Sequence, residues 1–180
     1  MSYSLHVLTK DIFEKNPNFY EESLNEIYDS NKLPYLEDWS AIYSHQPVIS
    51  LVFLKENEKI VSFMYSTPHK DFEGYEASSL THWGINFIQT HNDFKRKGYG
   101  YLTALLGFKD IISKGGKEVD FFPICSESKH LFHKIVNPYK VGYILPTPGC
   151  STMFTIYFHE NFLFCANVMK PSELIKFIKY

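Results

Sequence analysis

A basic, glycine-containing turn stands between an extended segment and a helix-like segment near the middle of this 180-residue chain. The extended segment is LTHWGINFIQT at residues 80–90, and the turn is KRKGYG at residues 95–100. Apolar residues then recur at helical spacing, at Tyr101, Leu102, Leu105, Phe108 and Ile112. Gly115 and Gly116 end that pattern. A strand, a tight turn and an amphipathic helix in this order predict an α/β unit.

Strand-like and helix-like segments alternate along the rest of the chain. Strands are predicted at residues 4–8, in a hairpin at 48–66, at 80–90, at 119–124, and in a final pair at 140–145 and 151–159. Helices are predicted at residues 18–29, 35–45, 101–114, 126–137 and 171–180. This alternation predicts one mixed α/β sheet with helices on both of its faces.

Length and composition favour one domain, because 44% apolar residues in 180 can fill a single core. A formal charge of −2 and a pI near 6.4 give no general attraction to a polyanion, so no nucleic-acid partner is expected. The apolar runs are shorter than the ~20 residues that span a bilayer, so no membrane partner is expected either. Three widely spaced cysteines and the lack of a secretion signal favour a reducing, cytoplasmic location.

The turn at residues 95–100 has the features of a phosphate site. A helix N-terminus exposes unpaired backbone N–H groups, and glycines allow an anion to approach them closely. Two known phosphate signatures do not fit, because Thr103 occupies the place of the third glycine of a dinucleotide fingerprint and no Gly-Lys-Ser/Thr follows for a P-loop. The alternative is a solvated basic bend whose glycines only reverse the chain.

A third signature does fit: Lys95-Arg96-Lys97-Gly98-Tyr99-Gly100 resembles the Gln/Arg-x-x-Gly-x-Gly/Ala pyrophosphate turn of the GNAT superfamily of CoA-dependent N-acyltransferases, with lysine in the first place. The order of elements over residues 3–158 is also similar. The resemblance implies a GNAT-like α/β fold, with a mixed, mostly antiparallel central sheet of about seven strands, splayed between the fourth and fifth. Residues 1–180 then form a single domain, with 159–180 as a C-terminal extension.

The resemblance also implies acetyl-CoA, or another acyl-CoA, as the donor in a direct transfer to a primary amine. Backbone amides of the turn are expected to hold the diphosphate, and the end of the preceding strand to pair with the pantetheine. The implied cofactor-binding residues are Ile88, Gln89, Thr90, Lys95, Arg96, Lys97, Gly98, Tyr99, Gly100, Tyr101 and Ser126, the last standing where the family usually has asparagine. No metal is expected, because His130 and His133 lack an acidic companion at helical spacing.

Acid and base candidates follow from the same resemblance. His133 stands about where the family has a tyrosine that protonates the leaving thiolate, with Tyr139 and Tyr143 as reserves. His82 is the titratable group in the strand that usually carries the base, and Asp120 is a weaker competitor. The alternative for both histidines is structural: a helix-surface group for His133 and a hydrogen-bonded core group for His82.

The acceptor pocket is implied to lie among the first two helices and the loop after the third strand. Its candidate acceptor contacts are Trp39, Glu73 and Tyr75, in segments that also carry Asp29, Glu37, Asp38, Asp71 and Glu76. Carboxylates beside aromatic rings favour a cationic small molecule or a peptide or protein amine. The alternative is that these loops are simply acidic and solvated.

Two other functions remain open from the sequence. A non-catalytic CoA-binding sensor would keep the turn without a working acid and base, and an interaction module on the same fold would need neither. The segment NFLFCANVM at residues 161–169 is expected either to cover a sheet edge or to contact a second subunit, which would give a homodimer.

Overall fold

A single seven-stranded sheet organises the molecule, whose computed structural model describes residues 3–33, 37–45, 48–69, 80–123 and 126–179. The strands are β1 (Tyr3–Val7), β2 (Ser50–Glu56), β3 (Lys59–Pro68), β4 (His82–Thr90), β5 (Glu118–Phe121), β6 (Gly142–Pro146) and β7 (Phe154–Phe158). Their order in the sheet is β1-β2-β3-β4-β5-β7-β6. Only the β4–β5 pair is parallel. The predicted mixed, mostly antiparallel sheet is therefore confirmed.

Helices cover both faces of this sheet. They are α1 (Lys10–Lys15), α2 (Pro17–Ser30), α3 (Trp39–His45), α4 (Tyr99–Ser113), α5 (Ser126–Ile135), α6 (Glu160–Val168) and α7 (Pro171–Lys179), and a 3-10 turn lies at Asn92–Phe94. Pro17 and Pro171 stand at the first position of α2 and α7, where a missing N–H costs nothing. None of the helices in the described part of the chain is both long and apolar enough to cross a lipid bilayer.

The β2–β3 hairpin has a two-residue turn, shorter than the four polar residues ENEK suggest. Asn57 and Glu58 both have positive φ, 51° and 64°. Two successive left-handed residues are typical of the I′ turn, whose twist matches that of the strands it joins. The turn fixes the register in which Glu56 pairs with Lys59.

The two larger apolar cores among the described residues lie on opposite faces of the sheet. One joins α1, α2 and α3 to β2 and β3 and contains Tyr28, Trp39, Tyr43, Phe53, Phe63 and Tyr65. The other joins α4 to α7 to the sheet and contains Trp83, Phe108, Val119, Phe121, Phe132, Ile156 and Phe162. Much of the aromatic content of the sequence is thus used to fill these two layers, where ring centres lie 4.5–6.2 Å apart in pairs such as Trp39–Phe63 and Phe121–Phe132.

The C-terminal segment forms two helices on α4, rather than covering a sheet edge. Phe162 and Ala166 of α6 are fully buried in the core that α4 shares. The Lys109 ammonium of α4 donates a hydrogen bond to the carbonyl oxygen of Ala166. Residues 161–169 therefore belong to the layer above the sheet, although Phe164 and Val168 remain exposed.

Parallel pairing between β4 and β5 is short, and this opens the sheet. The two strands pair from His82 with Glu118 to Ile85 with Phe121, whereas β4 continues to Thr90. At this point β4 also bulges, because Ser66 pairs with Ile85 and Tyr65 with Phe87, which leaves Asn86 unopposed. From Asn86 to Thr90, no described residue forms a strand pair with β4 on the β5 side.

Candidate functional site: the turn before α4 and the cleft beside it

The chain between β4 and α4 folds into a turn with two left-handed residues. His91 begins the 3-10 turn, and its Nδ1 accepts a hydrogen bond from the Asp93 N–H at 3.3 Å. Arg96 then has φ 64°, and Gly98, the N-cap of α4, has φ 81°. Left-handed residues separated by one ordinary residue point successive N–H groups to the same side, an arrangement that binds anions.

Six consecutive backbone N–H groups in this turn are free. The Lys95 N–H donates to Asn92 at 3.3 Å, and the first regular helical bond of α4 runs from the Leu102 N–H to Gly98 at 3.2 Å. Between these two bonds, the N–H groups from Arg96 to Tyr101 have no acceptor among the described residues. They add to the positive end of the α4 dipole. The turn therefore offers a concentrated set of donors to an anion.

These donors face an open cleft of about 660 Å³ between α4 and α5. The predicted residues that line it are Thr90, Lys95, Arg96, Gly98, Tyr99, Gly100, Tyr101 and Ser126. Its other wall includes Glu127, His130, Leu131 and Lys134 of α5, none of which is among the predicted cofactor-binding residues. The sequence spacing indicates two of them, because His130 and Lys134 follow Ser126 at intervals of four and so share one helix face. Lys95, Arg96 and Lys134 give the cleft three cationic side chains.

Neither glycine of the turn is needed to avoid a clash within the protein. A methyl group at Gly98 would meet no atom within 4 Å, so its left-handed φ is the constraint there. A methyl group at Gly100 would lie 3.4 Å from Thr90 Oγ1 and 3.8 Å from Leu131, which are ordinary contacts. The space that Gly100 leaves open therefore belongs to the cleft.

Lys97 and Tyr99 turn their side chains away from the free amides and anchor the turn to the end of β2. The Tyr99 hydroxyl donates a hydrogen bond to the buried Glu56 carboxylate, and Lys97 Nζ lies 3.4 Å from the same carboxylate. Lys97 also lies 4.6 Å from the Phe94 ring centre. The bond from Tyr99, aided by Lys97, lowers the pKa of Glu56 despite its burial and raises that of Tyr99 to about 12.

We expect Glu56→Gln to lower the melting temperature at neutral pH, because it removes the charge that Tyr99 and Lys97 bind. The folded pKa of Glu56 lies below its usual 4.5. Its stabilising effect is therefore present above about pH 4.5 and is lost as the pH falls through the folded value. Thermal melts from about pH 8 to about pH 3 should show wild type and variant converging in acid. Glu26→Gln is the control, since Glu26 forms an exposed pair with Lys59 and should matter little at neutral pH. A constant Glu56→Gln deficit at all pH values would contradict the prediction.

The end of β4 brings Ile88, Gln89 and Thr90 to the mouth of the splay. All three are half-buried. The Thr90 hydroxyl is 2.9 Å from the Ser62 hydroxyl, which also receives a hydrogen bond from Thr103 of α4. These bonds hold the end of β4 against β3 and α4, so the free edge is rigidly placed next to the turn.

At the other end of β4, His82 lies among acidic groups. Its Nε2 is 3.0 Å from Asp120 Oδ2, and its Nδ1 is 3.5 Å from Glu118 Oε1. Contact with Asp120 raises the pKa of His82 above its usual 6.5, although partial burial opposes this. Burial alone would raise the pKa of Asp120, but contacts with His69, His82 and Thr155 outweigh it and hold that pKa below its usual value. His82 and Asp120, two separate base candidates in the sequence, form one unit.

His133 does not line the cleft. It is exposed on α5, with its ring centre 6.5 Å from that of Phe154. Phe154 pairs with Phe121, the last residue of β5 before the splay, so His133 lies on the splay side of α5. The two reserves are placed differently. Tyr139 is 90% exposed, and Tyr143 stacks on Tyr157 in the edge pair β6–β7.

Trp39 is a core residue in this structure. Its side chain has no exposed surface, its ring packs edge-on against Phe63 and Tyr65, and its indole N–H donates to Asn25 Oδ1 at 3.3 Å. It therefore has no free face with which to contact an acceptor. The other two candidate acceptor contacts, Glu73 and Tyr75, lie outside the described residues.

The fold is shared with several acetyltransferase structures. The protein yncA from Salmonella typhimurium, solved with its cofactor acetyl-CoA, aligns with a TM-score of 0.60 at 13% identity, over 89% of this chain and 96% of that chain. The ribosomal-protein-S18-alanine N-acetyltransferase from Escherichia coli gives 0.58 at 12% identity, over 89% and 98%. PaiA N-acetyltransferase from Thermoplasma acidophilum, in complex with coenzyme A, gives 0.52 at 13%, over 88% and 100%.

At the level of sequence, no protein-family model and no curated protein matches the chain. The structural matches extend across most of the chain at identities of only 12–13%. They confirm the predicted GNAT fold, including the parallel β4–β5 pair within a mixed seven-stranded sheet.

Proposed function

We propose that this protein is a CoA-dependent N-acyltransferase that moves an acetyl or other short acyl group from acyl-CoA to a primary amine. The observation that carries the proposal is the row of six free N–H groups from Arg96 to Tyr101, which opens onto a cationic cleft beside the splayed strands. The similar structures support it, since the two from Salmonella typhimurium and Thermoplasma acidophilum contain acetyl-CoA and coenzyme A.

In this proposal, the CoA diphosphate binds the free amides of the turn. Lys95, Arg96 and Lys134 neutralise its charge from the rim of the cleft, and Ser126 offers a hydroxyl from the start of α5. Lys97 contributes its N–H, because its side chain is already paired with Glu56. Tyr99 likewise holds the turn in position through Glu56.

The pantetheine arm then extends along the free edge of β4. Its amides can pair with the backbone of Ile88, Gln89 and Thr90, as an added strand would, because β5 leaves that edge after Phe121. This places the thioester near the bulge at Asn86. A backbone N–H there would stabilise the oxyanion that forms when the amine attacks.

Transfer requires one proton to leave the amine and one to reach the leaving sulfur. The neutral amine attacks the thioester carbonyl, the C–N bond forms, and the C–S bond of the tetrahedral intermediate breaks. We assign His82 as the base and His133 as the acid that protonates the thiolate. His82 lies three residues before the splay, which is roughly 10 Å along the strand. The proton that leaves the amine would therefore reach His82 through water. Asp120 and Glu118 stabilise the resulting imidazolium.

The acceptor is proposed to be a cationic small molecule or a peptide or protein amine. The carboxylates of Asp120 and Glu118 lie beside His82 and make this side of the proposed reacting region acidic. Glu73 and Tyr75, in the segment between β3 and β4, are proposed to contact it. A positively charged acceptor would be drawn to such a surface.

Calorimetric titration with CoA and an assay of acyl transfer test the proposal together. We expect saturable 1:1 binding of CoA, weaker binding of pantetheine, and release of thiol from acetyl-CoA with at least one member of a panel of primary amines and amine-bearing peptides. Failure to bind CoA would reject the proposed function outright. Binding of CoA without transfer to any amine would instead favour the sensor function.

A further inference from the structure

Three side chains that are far apart in the sequence meet at the start of β4. His69 follows the last residue of β3, His82 begins β4, and Asp120 lies in β5. One ligand atom from each lies within 4.8 Å of the other two. Backbone contacts hold the three residues close together, since the His69 N–H donates to the His82 carbonyl at 2.9 Å and Gly84 pairs with Asp120.

Two of the distances in this cluster match those between ligands of one metal ion. His69 Nε2 and His82 Nε2 lie 3.2 Å and 3.0 Å from the same oxygen, Asp120 Oδ2. Ligands about 2.0–2.2 Å from a tetrahedral zinc ion are roughly 3.3 Å apart. His82 Nε2 is buried and has no hydrogen-bond partner of acceptable geometry among the described residues. A metal ion bound between these atoms would give His82 Nε2 the partner that it lacks.

The surroundings also orient the three groups as metal ligands are usually oriented. Glu118 Oε1 is 3.5 Å from His82 Nδ1, so it can accept a hydrogen bond from the Nδ1–H group when Nε2 binds a metal. Asp120 Oδ1 accepts a hydrogen bond from Thr155 at 2.6 Å, which leaves Oδ2 for the ion. Thr155 is itself 3.0 Å from the Thr147 hydroxyl. Such outer partners typically fix the ligand geometry of a bound ion.

Gly84 leaves room for the His69 imidazole ring to reach the cluster. A methyl group at Gly84 would lie 3.2 Å from His69 Nε2 and 3.4 Å from Cε1, closer than most packed side chains. The glycine inside β4 is thus explained by the approach of an imidazole ring across the strand.

We propose that His69, His82 and Asp120 form a binding site for a divalent transition metal ion, with Zn²⁺ as the ion that best suits two imidazoles and one carboxylate. Water would occupy the remaining position. The ion's double charge is balanced by Asp120 and Glu118. His69 and His82 are partly exposed, at 43% and 35% of their side chains, so an ion can enter from solvent.

Zinc at this site would regulate the transferase. This consequence, unlike the site itself, rests on the proposed function. A neutral imidazole has one proton, so zinc on His82 Nε2 leaves that proton on Nδ1, and neither nitrogen can then accept one. Bound zinc should therefore block the base and inhibit acyl transfer, and a chelator should restore it.

The site is tested by titrating metal-free protein with Zn²⁺ calorimetrically and with Co²⁺, whose visible absorption reports tetrahedral coordination. We expect one ion per chain. His69→Ala should weaken binding at least 100-fold, and Glu118→Gln by about 10- to 100-fold. His6→Ala is the matched control, because it removes an exposed imidazole from β1 and should change nothing. Circular dichroism and thermal melts check that each variant is folded.

Absence of binding, or binding that His69→Ala leaves unchanged, would overturn the proposal. The regulatory consequence is measured separately, as inhibition by Zn²⁺ and recovery with a chelator. Acylated product should be quantified by mass spectrometry, because zinc also binds the free thiol of CoA. Metal binding without any transferase activity would leave the site standing and count against the proposed function alone. Undiminished acyl transfer by zinc-loaded protein would overturn the regulatory role.

Discussion

Gly100→Ala is expected to weaken CoA binding by about 5- to 150-fold without lowering the stability of the protein. The added methyl group makes only ordinary contacts with Thr90 and Leu131, and alanine favours a helix more than glycine does. A diphosphate held by the free amides of the turn has to lie where that methyl group would stand. Overpacking of this kind costs about 1–3 kcal/mol, which corresponds to the stated loss of affinity.

Binding of pantetheine is the control for this prediction. Pantetheine lacks the diphosphate, so its binding to Gly100→Ala and to wild type should be the same, whereas CoA should separate the two proteins. Calorimetric titration measures the affinities, and thermal melts measure the stability. Equal affinity of both proteins for CoA would show that the diphosphate does not lie against the turn.

The turn could be predicted from the sequence because the phosphate binding proposed for it resides in the backbone. Gly98 and Gly100 at their spacing, between a strand and an amphipathic helix, were enough to place the free N–H groups. The contacts that hold the turn in place could not be predicted from the local sequence pattern. Glu56 lies 43 residues before Tyr99, and only the pairing of β2 with β3 and the packing of α4 bring the two together.

The cluster around His82 was only partly predictable for a similar reason. The resemblance to the GNAT superfamily makes His82 and Asp120 base candidates but does not give the register in which His82 pairs with Glu118 and Gly84 with Asp120. A shift by one residue would have turned these side chains to opposite faces of the sheet. His69 follows β3 with no motif of its own, so its part in the cluster follows from tertiary structure alone.

Burial accounts for the remaining differences. The resemblance implies that Trp39, in the second predicted helix, contacts the acceptor, but its spacing to Tyr43 on α3 places both residues on the face that packs on the sheet. The C-terminal helix α6 carries exposed Phe164 as well as buried Phe162, so its apolar residues do not mark one face. Without that periodicity, its packing on α4 could not be predicted.

His82→Asn is expected to lower kcat by about 100- to 10,000-fold while leaving the affinity for CoA unchanged. Asparagine keeps a polar side chain beside Asp120 but cannot accept a proton from the amine at neutral pH. The turn proposed to bind CoA lies at the opposite end of β4, so the proposed cofactor site should not be affected. Assays in the presence of a chelator exclude any effect of bound metal.

Comparison with two other histidine variants assigns the effect to proton transfer. His133→Phe should also slow turnover without weakening CoA binding, because it removes the proposed acid, whereas His6→Asn should leave both quantities unchanged. A His82→Asn variant that raises KM for the amine but keeps kcat would place His82 in acceptor binding instead. Full activity of that variant would remove it from the mechanism. A base at this position makes chemical sense only if the amine approaches from the side of Asp120, so a loss confined to kcat would also locate the acceptor on the acidic side of the splay.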